Sequence, residues 1–172
     1  MKLKAILLGL TLGMASTLLA GDFVSYKELS TKLKKENKKA GNYATTDEVK
    51  KALKSKSWVV ADVRTMEEWS AAHMKGAVRV GRQASEKGVA LHALDDDDKL
   101  VKPNLIVVCN SAARASIEAQ TFRQMGFDTV KIYDLYSWID ECNPVVTKYT
   151  VKKDKGGMNL KFGDFYAEHC KK

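Results

Sequence analysis

The sequence is poor in the residues that build metal sites. Its 172 residues include three cysteines and three histidines. None of Cys109, Cys142 and Cys170 pairs with another at metal-ligand spacing, and His73, His92 and His169 are scattered, so a zinc centre finds little support. No metal or other cofactor is expected. The four adjacent aspartates Asp95–Asp98 lack the alternating ligand pattern of a calcium loop and read as an acidic, turn-prone connector. Long apolar runs are also missing. The run from Ala5 to Ala20, which carries no charge, falls short of the roughly 20 apolar residues of a membrane span and is diluted by Gly, Ser and Thr. After the positive start "MKLK" it reads as a secretory signal peptide over residues 1–20, cleaved after Ala20 or else Ala15, with a retained anchor as the alternative. A lipid anchor lacks a cysteine at the junction.

The length suits one domain with a core plus terminal segments. The formal charge is +8, from 29 basic and 21 acidic residues, and loss of Lys2 and Lys4 with the signal leaves +6. A periplasmic location follows from export, and it makes nucleic acid a poor partner. The positive excess is then either a solvated lysine-rich surface or a field that attracts small anions. Export also permits disulfides. With three cysteines, one thiol is left over unless a bridge joins two chains.

Along the chain, residues 23–40 suit an amphipathic helix carrying Leu29 and Leu33, and "TTDEVKKAL" offers a Thr46 cap and a helix through Leu53. Trp58–Val63 reads as a buried strand, "TMEEWSAAH" as a short helix and "GAVRV" as a brief strand. Residues 81–94 can hold a helix. "LIVVC" is the strongest strand and "SAARASIEAQTFRQM" the strongest helix, stopped by Gly126. "TVKIY" is another strand, "LYSWIDEC" a helix ended by Asn143 and Pro144. The tail contains a hairpin around "DKGG" and a last short helix. Strands alternating with helices indicate an α/β fold with a parallel sheet flanked by helices on both faces. In such sheets ligands bind beyond the carboxyl ends of the strands, and Cys109 ends one of them.

A strand ending in cysteine, with a helix starting two or three residues later, sets the thiol over free backbone N–H groups and the positive end of a helix dipole. That setting favours thiolate, and Arg114 adds a fixed charge suited to small anions. The small residues Asn110, Ser111, Ala112 and Ala113 let the backbone curl around whatever sits on the sulfur. The alternative is a cysteine buried for packing alone.

The loop "CNSAARA" resembles the active-site loop of the single-domain rhodaneses, C-x-x-G-x-R-S, with Ala112 in place of the glycine and Ala115 in place of the serine. Upstream, "DVRTMEEW" and "HMKGAVRV" resemble the other rhodanese signature, with Asp62, Arg64, Glu68, Trp69, His73, Gly76 and Ala77 in register. The resemblance runs from about Thr45 to Val146. It divides the chain into a signal peptide (1–20), an N-terminal helical extension (21–44), a rhodanese-like domain (45–146) and a C-terminal extension (147–172). It implies a sulfurtransferase that moves sulfane sulfur from polysulfide or thiosulfate to a thiophilic acceptor through a persulfide on Cys109. Cys109 and Arg114 are then catalytic, and Asn110, Ser111, Ala112, Ala113 and Arg82 bind substrate. Asp62, Arg64, Glu68 and His73 are structural, with Arg64 expected to pair with Glu67 or Glu68 and His73 to fix the turn before Gly76. The double alanine and the export signal are most similar to periplasmic polysulfide-sulfur transferases. The partners implied are small sulfur-containing anions and a membrane or periplasmic sulfur-reducing protein. Beyond Tyr133 the sequence departs from the family: the usual glycine pair is missing, and Trp138 comes early. Cys142 and Cys170 are expected to form a disulfide that ties the tail to the body and leaves Cys109 free.

Two other functions stay open at this point. One is a non-enzymatic carrier that keeps sulfane sulfur bound for delivery. The other is a cysteine-dependent phosphatase or arsenate reductase. Four residues separate Cys109 from Arg114, as in the compact sulfurtransferase loop, whereas the related phosphatases have one more.

Overall fold

The computed structural model describes residues 22–147 and 163–170. The signal-peptide expectation and the turn around "DKGG" lie outside them. Six α-helices, α1 (Tyr26–Lys39), α2 (Thr46–Ala52), α3 (Met66–Ala71), α4 (Ser85–Ala93), α5 (Ala113–Gln124) and α6 (Leu135–Asp140), alternate with strands β1 (Trp58–Asp62), β2 (Val78–Arg79), β3 (Asn104–Cys109) and β4 (Thr129–Asp134). The four strands form one parallel sheet in the order β2-β1-β3-β4. Two further strands, β5 (Val145–Thr147) and β6 (Gly163–Phe165), pair antiparallel. A 3-10 turn, Glu168–Cys170, follows them. Among the described residues no helix is long and apolar enough to cross a membrane.

The period-two alternation of β3 sorts the core into two layers. Leu105, Val107 and Cys109 face one way and pack with Val89 and Ala93 of α4 and Ala115, Ala119 and Phe122 of α5. Ile106 and Val108 face the other way and pack with Val49 and Ala52 of α2 and Leu135 and Trp138 of α6. Buried on both faces, β3 reads as an unbroken apolar run, as a central parallel strand does. The free edge of β4 is covered by the chain entering α2: the Ala44 N–H donates to the Ile132 carbonyl (3.0 Å), and the Ile132 N–H to the Asn42 carbonyl (2.8 Å).

Two local expectations change. Thr45, not Thr46, caps α2, its hydroxyl accepting from the Glu48 N–H while the Glu48 carboxylate accepts from the Thr45 N–H. Thr46 is instead buried, its hydroxyl 2.7 Å from that of Tyr133. The strand expected over "GAVRV" shrinks to two residues because the chain turns at Gly76 and Gly81, with φ of 90° and 77°. The acidic connector folds on itself, the Asp95 carboxylate accepting from the N–H groups of Asp97 and Lys99 (3.0 and 2.9 Å).

Helix α1 runs alongside α5. Leu33 and Asn37 form its buried stripe, and the Asn37 side-chain oxygen accepts from Arg123 Nη2 at 2.7 Å. The same nitrogen donates to the Val130 carbonyl at 2.9 Å, so one guanidinium joins α1, α5 and β4.

Candidate active site

The β3–α5 connection is short because the chain reverses within three residues. Ala112 takes a left-handed conformation (φ 60°, ψ 0°) and α5 begins at Ala113. A glycine adopts that conformation without penalty, whereas alanine pays a steric cost of about 1–2 kcal/mol. The early reversal aims the first turn of α5 back at the end of β3. The Ala115 N–H points at Cys109 Sγ, 3.4 Å away. This amide belongs to the first turn, whose N–H groups have no carbonyl four residues earlier inside the helix. Cys109 is the free cysteine of the described chain, and only 1% of it is exposed. It lies in the same buried cluster as Ala112 and Ala115, on the α5 side of the sheet.

Above the loop lies an open cleft of about 630 Å³, bordered by Thr65, Glu68, Arg82, Ser111 and Arg114, with Tyr26 and Tyr136 at its sides. Its floor is organised by one hydrogen-bonded chain. Asp62 and Arg64 are buried at the end of β1 (1% and 2% exposed). Arg64 Nη2 donates to Asp62 Oδ2 at 2.6 Å and Nε to Oδ1 at 2.9 Å. The same guanidinium donates to the carbonyls of Ala72 (2.6 Å) and Glu68 (3.3 Å) and to Asn110 Oδ1 (3.0 Å). The Asn110 amide donates onward to Glu68 Oε1 at 2.9 Å. Glu68 then accepts two parallel bonds from Arg114, at 2.6 and 2.7 Å.

Burying the Asp62–Arg64 pair carries a desolvation cost, and the dense set of donors and acceptors around it offsets that cost. Among the described residues no buried side-chain polar atom lacks a partner. The Arg114 hydrogen bonds, helped by the Thr65 amide and against the effect of partial burial, hold the Glu68 carboxyl down at about 2. Reciprocally, the Glu68 carboxylate raises the Arg114 guanidinium above its usual range. Burial lowers His73 below its ordinary 6.5.

The residues singled out in the sequence therefore separate into groups. Cys109, Asn110, Ser111, Ala112, Ala113 and Arg114 form the loop, and Arg82 stands at the cleft wall. Among the described residues no carboxylate lies within ion-pairing distance of Arg82. Arg64 corrects its expected pairing: its ionic partner is Asp62, and it meets only the main-chain oxygen of Glu68. Glu68 is structural in holding Arg114, yet its carboxylate also borders the cleft. His73 links the end of α3 to β5. Its Nδ1 lies 2.9 Å from the Trp69 carbonyl, its ring stacks on Trp69 at 3.8 Å, and its main chain pairs with Val146. Cys142 and Cys170 are joined, with an S–S length of 2.07 Å. His169 lies beside them, but the two sulfurs are occupied by each other.

Sequence reasoning missed Tyr26, Thr65 and Tyr136 as cleft residues. The available signal for Tyr26 was the helical stripe it shares with Leu29, Leu33 and Asn37. No short motif marks the other two.

No curated protein matches the sequence significantly. The chain is similar in fold to the polysulfide-sulfur transferase homodimer of Wolinella succinogenes, with a TM-score of 0.51 and 22% identity over 77% of this chain and 97% of that one. A second solved structure, the BH2092 protein of Bacillus halodurans, aligns with a TM-score of 0.48 and 20% identity over 68% of this chain and 85% of that one. Residues 45–135 match the rhodanese-like domain model. That segment holds β1 through β4, the Asp62–Arg64 network and the whole Cys109 loop, and the chain belongs to the rhodanese-like domain family.

Proposed function

We propose that this protein is a sulfurtransferase that carries sulfane sulfur as a persulfide on Cys109. The observation that carries the reading is the free Cys109 thiol at the β3–α5 junction, met by the Ala115 N–H under a cleft bordered by Arg82 and Arg114. The thiolate attacks the terminal sulfur of a polysulfide. A bond from Sγ to that sulfur forms as the bond to the rest of the donor breaks, giving an anionic persulfide and a polysulfide one atom shorter. An acceptor such as cyanide or a thiolate then takes the outer sulfur and returns Cys109 as thiolate. Each step is a sulfur-to-nucleophile transfer with no external oxidant or reductant. The covalent intermediate divides one transfer into two easier ones.

The charge arrangement supports an anionic substrate. Glu68 neutralises Arg114 and fixes its position, so Arg114 acts as an oriented donor more than as a net charge. Arg82, without a carboxylate partner among the described residues, supplies the net positive charge of the cleft. The side chain of Asn110 is engaged on both sides by Arg64 and Glu68, so its part in binding falls to its backbone and to holding the loop. Polysulfide is the donor we favour, by likeness to the Wolinella protein, and thiosulfate is the alternative. We place the protein in the periplasm, delivering sulfur to a reducing partner there or in the membrane.

The near-complete burial of Cys109 favours a second reading, a carrier that shelters the persulfide and does not turn over. One experiment addresses both. Protein exposed to polysulfide is digested and the Cys109 peptide is weighed, then cyanide is added and thiocyanate counted. Added sulfur on Cys109 with many thiocyanates per chain is expected. Stoichiometric release means a carrier, and no added sulfur on Cys109 refutes the persulfide.

A further inference from the structure

We propose that Tyr26 and Tyr136 form an aromatic rim that decides which reagents reach Cys109, admitting thin unbranched sulfur anions and cyanide and excluding bulky thiols. The substrate classes rest on the proposed sulfurtransferase activity, whereas the rim itself does not. Both tyrosines border the same cleft as Ser111 and Arg114, and both lie outside residues 45–135, the segment shared with the family. They come from different elements: Tyr26 opens α1 and Tyr136 sits in the first turn of α6.

Each is anchored through its backbone while its ring is left over the opening. Before Tyr26, the Ser25 hydroxyl accepts from the Glu28 N–H (3.2 Å) and the Glu28 carboxylate accepts from the Ser25 N–H (3.0 Å), which fixes where α1 starts. Buried Leu33 and the Asn37–Arg123 bond then hold α1 against α5, the helix whose first turn carries Arg114. On the other side, the Tyr136 N–H donates to the Asn110 carbonyl at 3.4 Å, tying α6 to the cysteine loop itself. Asp134 caps α6 by accepting from the Ser137 N–H at 2.8 Å.

The two residues remain 57% and 53% exposed, so neither is consumed by core packing. Cys109, by contrast, is 1% exposed and does not itself border the cleft, so on this proposal a reagent bound for its sulfur first enters the space the two tyrosines share with Ser111 and Arg114. Tyrosine suits a rim because its ring is large and has few rotatable bonds to order. On this account the segment 21–44 does more than cover the body: it supplies one wall of the site.

The test uses the protein without reductant, so that the Cys142–Cys170 bridge leaves Cys109 as the alkylatable thiol. Second-order rates are measured with iodoacetamide and with a bulky N-aryl maleimide by intact mass. In Tyr26→Ala and Tyr136→Ala the bulky-to-small rate ratio is expected to rise by about fivefold each, and by tenfold or more in the double variant, in the range of steric discrimination by a pocket. Tyr26→Phe and Tyr136→Phe should keep the wild-type ratio, because the ring is the wall. Thermal unfolding of the variants is expected to match wild type, since both residues are more than half exposed. An unchanged ratio in the double alanine variant overturns the rim, and so does a phenylalanine variant that moves as far as the alanine one. A shifted ratio in a protein that transfers no sulfur keeps the rim and rejects the proposed function. Transfer with an unshifted ratio does the reverse.

Discussion

The molecule treats its cysteines in two different ways. At the β3–α5 junction a single thiol is buried and faces a main-chain amide, held by residues within six positions of it. At the end of α6, Cys142 meets Cys170 across 28 residues of sequence, on the exposed side of the chain. The first cysteine is set by local backbone geometry, the left-handed Ala112 and the first turn of α5. The second pair depends on a long return of the tail through β5 and β6. A thiol that reacts needs preorganised surroundings and no partner sulfur, whereas a structural bridge needs only that two distant segments meet.

That contrast can be broken from either side. The largest effect is expected from Cys109→Ser, which should lower sulfur loading and transfer by about three orders of magnitude or more while leaving thermal unfolding nearly unchanged. Loading at wild-type level in this variant, read by peptide mass, places the chemistry elsewhere. Next comes Cys142→Ser with Cys170→Ser. Chain entropy for a loop of this length gives a stability loss of about 3–4 kcal/mol in denaturant titrations, with Cys109 loading preserved. A loss of loading in that double variant joins the two regions functionally and ends the contrast.

Glu68→Gln is expected to cost about 1–3 kcal/mol at pH 7, since it leaves a partly buried guanidinium without its carboxylate. The sign with pH is fixed by the Glu68 carboxyl, which sits below its ordinary 4.5 at about 2. A group lowered on folding stabilises the native state above its unfolded value and loses that contribution as pH falls toward its folded value. The difference between wild type and Glu68→Gln should therefore hold from pH 7 to 5 and shrink between about 4.5 and 2. A difference that stays flat to pH 2 removes the ion pair as its cause. The smallest effect is Ala112→Gly. Relief of the left-handed alanine is partly offset by a more flexible unfolded chain, so we expect a gain of up to about 1 kcal/mol by calorimetry. A clear loss of stability there contradicts the steric account of the turn.

Much of this architecture could be read from short-range pattern. The β3 run, the α5 periodicity and its stop at Gly126 gave the site's scaffold, because a central parallel strand and the helix after it are both defined by neighbours in sequence. The two signatures placed Asp62, Arg64, Glu68 and Asn110 near Cys109. Their wiring was less legible. The sequence pairs Arg64 with Glu67 or Glu68 along the following turn, yet α3 turns the Glu68 carboxylate toward Arg114, forty-six positions away, and Arg64 folds back onto Asp62. Helical spacing says which side chains can meet on one element and nothing about competitors arriving from another.

What the sequence determined by itself is therefore the order of elements, the face of β3 on which Cys109 lies and the chemistry available at its loop, since alternation, capping and loop length are local quantities. Only the tertiary structure decided that Glu68 neutralises Arg114 while Arg82 stays without a carboxylate partner among the described residues, and that tyrosines from α1 and α6 stand over one cleft. Those outcomes depend on which of several compatible partners come within hydrogen-bond reach once helices and strands pack, and that is a property of distances that no single segment encodes.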